Sequence, residues 1–339
     1  MNSAMILVTG ATGFIGRHMV RRLLNDNGKK VRIFLQKSEK GKEKEFPDAE
    51  PVFGDLTDEG AVENAVGGAE TVIHLASKNI DSDGSGFRTV NVDGTHRLCQ
   101  KSVQAGVKRM IYLSTVGVYG HGKHRNADET TPVRPDTDFS RSKAEAENIV
   151  LHHHRAGHFQ SVILRHRFVY GEGDVHVLAR MIRSAGKYPF LVSGGRARLS
   201  LILADDLAEI VCRFCDKNMD REVMPVYHVT DGYPVRYGDL IRTFCEAYGM
   251  KFPKLSIPFS LLYYPVRLRE RLTGTDPETA RSAVSSIRLM LVGVDNYFSN
   301  AKLMHVFPDL DLTSFYNAFP RVKEYYSRFL QDKNEGAAQ

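Results

Sequence analysis

Short apolar runs alternate with amphipathic stretches from the first residues to about position 170. "AMILVTG" is apolar and ends in glycine, the pattern of a strand buried on both faces. "FIGRHMVRRLLNDNG" follows with Ile15, Met19, Val20, Leu23 and Leu24 on one helical face. "KVRIFLQ", "PVFGDLTD", "ETVIHLAS", "VKRMIYLST" and "FQSVILRHR" predict further strands. "EGAVENAVGGA", "FRTVNVDGTHRLCQKSVQAG" and "DFSRSKAEAENIVLHHHRAG" predict the helices between them. This rhythm predicts an α/β fold: a doubly wound parallel sheet of Rossmann type, with helices on both faces.

After about residue 170 the rhythm loosens. "KYPFLVSGG", "ARLSLI" and "MPVYHVT" read as strands, and "ADDLAEIVCRFCDKN" and "RYGDLIRTFCEAYG" as helices. "PFSLLYYPVRLRERL" and the stretch through "SFYNAFPRVKEYYSRFLQ" read as an aromatic, helical lobe. The expected organisation is a Rossmann domain over residues 5–170, to which later segments return, and a smaller C-terminal lobe over 171–335.

Composition narrows the function classes. The 339 residues are 42% hydrophobic and 25% charged, enough for a large core in water. No apolar run approaches the ~18 residues of a membrane span, and the N-terminal residues enter a strand without a leader pattern, so a cytoplasmic location is expected. The net charge of +6 is spread along the chain. That argues against nucleic acid and suits an anionic cofactor or a peripheral membrane contact. Four cysteines are too few for a disulfide framework. Cys212 and Cys215 form a CxxC, but inside an amphipathic helix, where packing is the expected role; no metal site is expected.

The first β–α turn reads Thr9-Gly10-Ala11-Thr12-Gly13-Phe14-Ile15-Gly16. It follows a strand and opens a helix, the context in which glycines serve a dinucleotide. Gly10 allows the tight turn, Gly13 the close approach of a pyrophosphate, and Gly16 the packing of helix on strand. Phosphates then meet the free N–H groups of the helix N-terminus, around Thr12, Phe14 and Ile15. The end of the second strand reads Leu35-Gln36-Lys37-Ser38, with no acid at its tip and with Lys37 placed to attract a 2′-phosphate. NADP is therefore expected over NAD.

Further along come Asp55-Leu56, His74-Leu75-Ala76, Asn91-Val92-x-Gly94-Thr95, Ser114-Thr115-x-x-Val118-Tyr119-Gly120 and Lys143. In this order and spacing the chain resembles the extended short-chain dehydrogenases/reductases of the NAD-dependent epimerase/dehydratase superfamily, over roughly residues 5–250. "STVGVYG", "SKAEAE" and the aromatic lobe look most similar to its 3β-hydroxysteroid dehydrogenase-like branch. The resemblance implies an oxidoreductase that passes hydride between nicotinamide and a secondary alcohol or ketone. It implies a substrate-binding C-terminal lobe and a homodimer. It places Asp55 and Leu56 at the adenine, Ala76 in the cofactor cleft, Thr115 on the substrate oxygen and Lys143 on the nicotinamide ribose. Asn91 in this pattern is structural.

One position departs. The family's acid–base tyrosine stands four residues before its lysine, and here that residue is Phe139. The helical spacing to Lys143 is kept and only the oxygen is missing. Tyr119 and Tyr170 sit in "VYG" signatures of their own and are not substitutes. Three readings stay open: an imposed Tyr→Phe change in an active enzyme, a natural member whose proton comes from Thr115, water or substrate, or a cofactor-binding regulatory protein. A second departure is His166, in "LRHRFVYGEGD", where the family usually has proline. This loop borders the nicotinamide in the family; His166 reads as a surface or packing residue, with a substitute acid–base group as the alternative, since imidazole as a side chain titrates near neutrality.

Nucleotide-sugar epimerases and dehydratases often carry an arginine before the "DDLA" helix. Alignment on Asp205-Asp206-Leu207-Ala208 puts Leu199 there, and Arg198 on the opposite side of the strand. A hydrophobic substrate is expected instead, with a nucleotide sugar as the alternative. Phe259, Leu261, Leu262, Tyr263 and Tyr264 suit ordinary core packing, an apolar pocket, or a membrane surface with Arg267, Arg269 and Arg271 toward headgroups.

Overall fold

The structure, a computed structural model, describes residues 4–26, 29–79, 86–185, 188–216, 224–275, 277 and 284–335. The chain divides into two compact units, the first formed by Met1–Gly120, Pro132–His166 and Ala204–Val229.

In the first unit, strands β1 (Met5–Thr9), β2 (Lys30–Leu35), β3 (Glu50–Phe53), β4 (Ala69–His74), β5 (Arg109–Thr115), β6 (Gln160–His166) and β7 (Val226–Val229) form one sheet. Its order is β7-β6-β5-β4-β1-β2-β3, and every pairing is parallel. Helices α1 (Phe14–Leu24), α2 (Glu59–Val66), α3 (Gly94–Gln104), α4 (Asp138–Arg155) and α5 (Ala204–Asp216) complete the unit. This is the Rossmann-type sheet that the alternating pattern predicts. Leu7, Val72, Met110 and Ile163 are fully buried between its layers, as strands covered on both faces require.

Two features add to the sequence reading. "MPVYHVT" is one of the later segments that return to this unit: β7 pairs with β6, Tyr227 opposite Leu164. And the long helix expected before β5 begins as a π-turn over Phe87–Asp93 before α3. The widened turn carries Asn91, whose buried amide accepts the N–H of Lys78 at 2.8 Å and donates to the Lys78 carbonyl and the Ser142 hydroxyl, both at 3.0 Å. Asn91 thereby ties the Lys78 backbone to the Ser142 hydroxyl of α4.

The second unit comprises His121–Thr131, Arg167–Leu203 and Thr230–Gln339. Its core gathers Phe168, Tyr170, Leu178, Phe244, Phe315 and Tyr326. A four-stranded sheet holds Arg198–Leu199 between Val235–Arg236 and Asn296–Phe298, with His124–Ala127 at its edge. Helices Tyr237–Ala247, Phe259–Thr273 and Phe315–Glu335 are the longest here. Among the described residues no helix is long and apolar enough to cross a membrane.

Candidate active site

Gly10 has φ +73°, and a Cβ there would lie 2.7 Å from the backbone nitrogen of Ala76. A Cβ on Gly16 would lie 2.1 Å from the Gly10 carbonyl oxygen. Both positions accept only glycine. Gly13 caps α1 without a side chain, and the first turn, from Phe14 and Ile15, carries no acid. The result is a cradle of bare backbone at a positive helix end, suited to a diphosphate. Ala76 closes it from the next strand, its N–H donating to the Thr9 hydroxyl at 3.2 Å. Below it, His74 bridges Thr9 at 2.8 Å and Thr95 at 2.9 Å. Burial, with the nearby Lys143 charge, lowers its pKa to about 3 and keeps the ring neutral.

At the end of β3, Asp55 accepts the N–H and hydroxyl of Thr57 at 2.9 and 2.8 Å and the Gln36 amide at 2.9 Å. Burial would raise its pKa; these hydrogen bonds outweigh it and hold the carboxyl below its usual range. Leu56 is buried against Gly94. Lys37 lies exposed in the short turn Lys37–Glu39. Sequence reasoning missed Glu39, which that turn folds back: its carboxylate accepts the Thr12 hydroxyl and, at 3.2 Å, the Gln36 N–H. An acid thus stands on the glycine loop, although none stands at the strand tip. A contact spanning 27 residues of chain leaves no local sequence signal.

β5, β6 and α4 carry the remaining residues of the predicted set. Thr115, the last residue of β5, accepts the Gly117 N–H at 3.0 Å, which leaves its own hydroxyl proton to donate outward. His166 ends β6 directly opposite Thr115 in the parallel ladder, so both side chains leave the same face of the sheet. α4 starts with a reciprocal cap between Thr137 and Ser140. This fixes the roll that presents Phe139 and, one turn on, Lys143. The Phe139 ring packs on Phe87 at 5.9 Å. Lys143 is buried, donates to the Leu113 carbonyl at 2.8 Å and lies 4.2 Å from the Tyr112 ring centre. Burial drives its pKa down to about 7 against the opposing pull of Glu147.

Behind this surface lies a network that the sequence did not announce. Arg165 grips Glu147 of α4 through two bonds, 2.9 and 2.5 Å, and donates to Tyr119 at 2.6 Å. Tyr119 meets His228 of β7, also at 2.6 Å. The glycine loop, Asp55, Leu56, Ala76, Thr115, Phe139, Lys143 and His166 all fall in the first unit, most at the C-terminal ends of parallel strands, where such folds bind ligands.

A family profile described as the NAD dependent epimerase/dehydratase family matches residues 6–229. The chain belongs to that family. An epimerase/dehydratase-family chain of this kind has relatives that reduce, oxidise and epimerise. It is 27% identical, over 84% of its length and 86% of the relative's, to the 4-hydroxy-2-methyl-3-oxo-4-farnesyl-3,4-dihydroquinoline-1-oxide ketoreductase of Stigmatella aurantiaca. It is 29% identical, over 98% and 94%, to the 3 beta-hydroxysteroid dehydrogenase/Delta 5-->4-isomerase of Mycobacterium tuberculosis. Such relatives support the 3β-hydroxysteroid dehydrogenase-like branch. Among solved structures, that of gox2253 superposes with a TM-score of 0.74 at 26% identity, covering 92% of this chain and 93% of that one. The chain is therefore an oxidoreductase-type enzyme of the extended short-chain class, built for a nicotinamide cofactor.

Cys212 and Cys215 are packing residues of α5, both buried, with burial pushing both thiols up to about 12. Leu199 is fully buried, while Arg198 lies exposed on the other side of its strand, 5.8 Å from the Tyr297 ring centre.

Proposed function

We propose that this chain transfers hydride between a nicotinamide cofactor and a secondary alcohol or ketone of a hydrophobic substrate, with Phe139 standing where the acid–base tyrosine is usual. The observation that carries the reading is Thr115 and His166 opposite one another at the C-terminal ends of β5 and β6, with the buried Lys143 anchored to β5 through the Leu113 carbonyl and Phe139 one helical turn before it. The cofactor, when bound, supplies or accepts the hydride. Thr115 donates its hydroxyl proton to the substrate oxygen. Lys143 holds the ribose and, with a pKa near 7, keeps a proton to exchange. His166, opposite Thr115, or a water delivers the proton that Phe139 lacks.

An apolar cavity of about 600 Å³ in the second unit supports the hydrophobic substrate. Phe168, Met181, Phe190, Leu191, Leu262 and Leu289 line it, and Arg288 and His176 supply polar edges. The buried Leu199, in place of an arginine, weighs against a nucleotide sugar. For the cofactor, Glu39 changes the expectation: a carboxylate on Thr12 accepts ribose hydroxyls and repels a 2′-phosphate, so NAD(H) is preferred despite Lys37.

The test follows oxidation of NADH and NADPH against hydrophobic ketones and sugar-nucleotide ketones, for the chain as it stands and for Phe139→Tyr. Restored tyrosine raises turnover by about 10²–10⁴. If both proteins bind cofactor and neither turns over any ketone, the reading fails in favour of a cofactor-binding regulatory protein.

A further inference from the structure

The helix Phe259–Thr273 turns part of its apolar side to solvent. Leu261, Tyr264, Leu268 and Leu272 are 66%, 67%, 58% and 78% exposed, and Pro265 is exposed beside them. At about 100° per residue these five fall in one stripe about 100° wide. Arg271 borders the stripe on one side and Arg269 on the other, both exposed. Arg267 faces Glu270 at 3.8 Å, whereas the guanidinium groups of Arg269 and Arg271 make no ion pair among the described residues.

The roll of the helix is fixed. Glu270, opposite the stripe, is 2% exposed and accepts the Ser286 N–H at 2.8 Å. The helix packs there on Ser286–Gly293. At its start the Phe259 N–H donates to the Ser193 hydroxyl at 3.1 Å. At its end Gly274 takes φ +63° and the Thr275 N–H returns to the Glu270 carbonyl at 3.0 Å. The apolar stripe therefore cannot rotate inward without breaking these contacts.

We propose that this helix docks the protein on an anionic lipid bilayer, lying in the interface rather than crossing it. The four large apolar side chains would enter the acyl boundary while Arg269 and Arg271 meet headgroup phosphates. A narrow apolar stripe with a cationic rim on both sides matches the layering of such a surface, apolar beneath anionic. A second copy of this chain fits less well, because the same stripe facing itself sets arginine rim against arginine rim. The proposal stands on the surface alone and does not depend on the reaction.

The test is flotation of the full chain with vesicles of pure phosphatidylcholine and of phosphatidylcholine with about 30% phosphatidylglycerol. The chain is expected to float with the anionic vesicles at low salt, several-fold less at high salt, and little with the neutral ones. Leu268→Asp/Leu272→Asp abolishes flotation, and Arg269→Glu/Arg271→Glu removes its dependence on phosphatidylglycerol. Both variants keep wild-type cofactor affinity, because these exposed side chains do not belong to the first unit. Absence of flotation, or flotation unchanged in both variants, overturns the proposal. So does a dimer in solution that Leu268→Asp/Leu272→Asp dissociates while wild type ignores vesicles; the stripe is then a contact between copies.

Discussion

Lys143 is placed by spacing and made unusual by burial. Folded, its amine has a pKa of about 7 against an ordinary value of 10.5. Between these values the unfolded chain binds the proton that the folded chain releases, so stability rises with pH through that window. Conversely, stability falls as pH drops from about 10 to 7. Lys143→Met is expected to flatten this slope in urea melts of the apoprotein taken at pH 7, 8 and 9. An unchanged slope would mean the amine keeps its proton. Glu39→Gln removes the charge held against the glycine loop and is expected to shift the NADH/NADPH dissociation ratio toward NADPH by about tenfold or more. Binding titrations with the two cofactors check it. The sequence announced Phe139 and Lys143, because a four-residue interval on a helix is local. It could not announce Glu39, whose position depends on a turn folding back onto a loop far behind it in the chain.

The elements were legible where their burial pattern was local. β1 to β6 and α4 read directly from apolar runs and a helical period. β7 did not read as part of the sheet, because pairing with β6 has no trace within "MPVYHVT" itself. The Arg165–Glu147 pair was equally silent; it joins two elements that sequence reads separately. Cutting it by Glu147→Gln leaves a buried guanidinium without its counter-charge and is expected to cost about 3–5 kcal/mol, read in denaturant melts. In the second unit Arg198 and Arg236 lie directly opposite in an antiparallel pair, and like charges so placed repel. Arg236→Glu is expected to raise stability by about 0.2–1 kcal/mol, which a melting curve detects.

At the scale of the whole molecule, the units are not successive pieces of chain. The backbone leaves and re-enters the first unit more than once, and residues 204–229 return to it late. α5 lies against α1, joined by His18–Asp205 at 2.5 Å and Arg22–Glu209 at 2.8 Å. A fragment ending at residue 170 loses α5 and β7, baring the side of α1 that carries His18 and Arg22 and the β6 edge. Such a fragment is expected to aggregate and to fail to bind cofactor, which light scattering and cofactor titration check.

That late return also sets a clock on biosynthesis. β6 is complete at His166, but its partner strand starts at Val226. At ribosomal speeds of about 5–20 residues per second the nascent sheet keeps a bare, apolar edge for about 3–12 s. Until residue 229 clears the exit tunnel, that edge is open to any other strand. The edge closes only when β7 arrives, so pairing with β6 is the last step by which this sheet is completed.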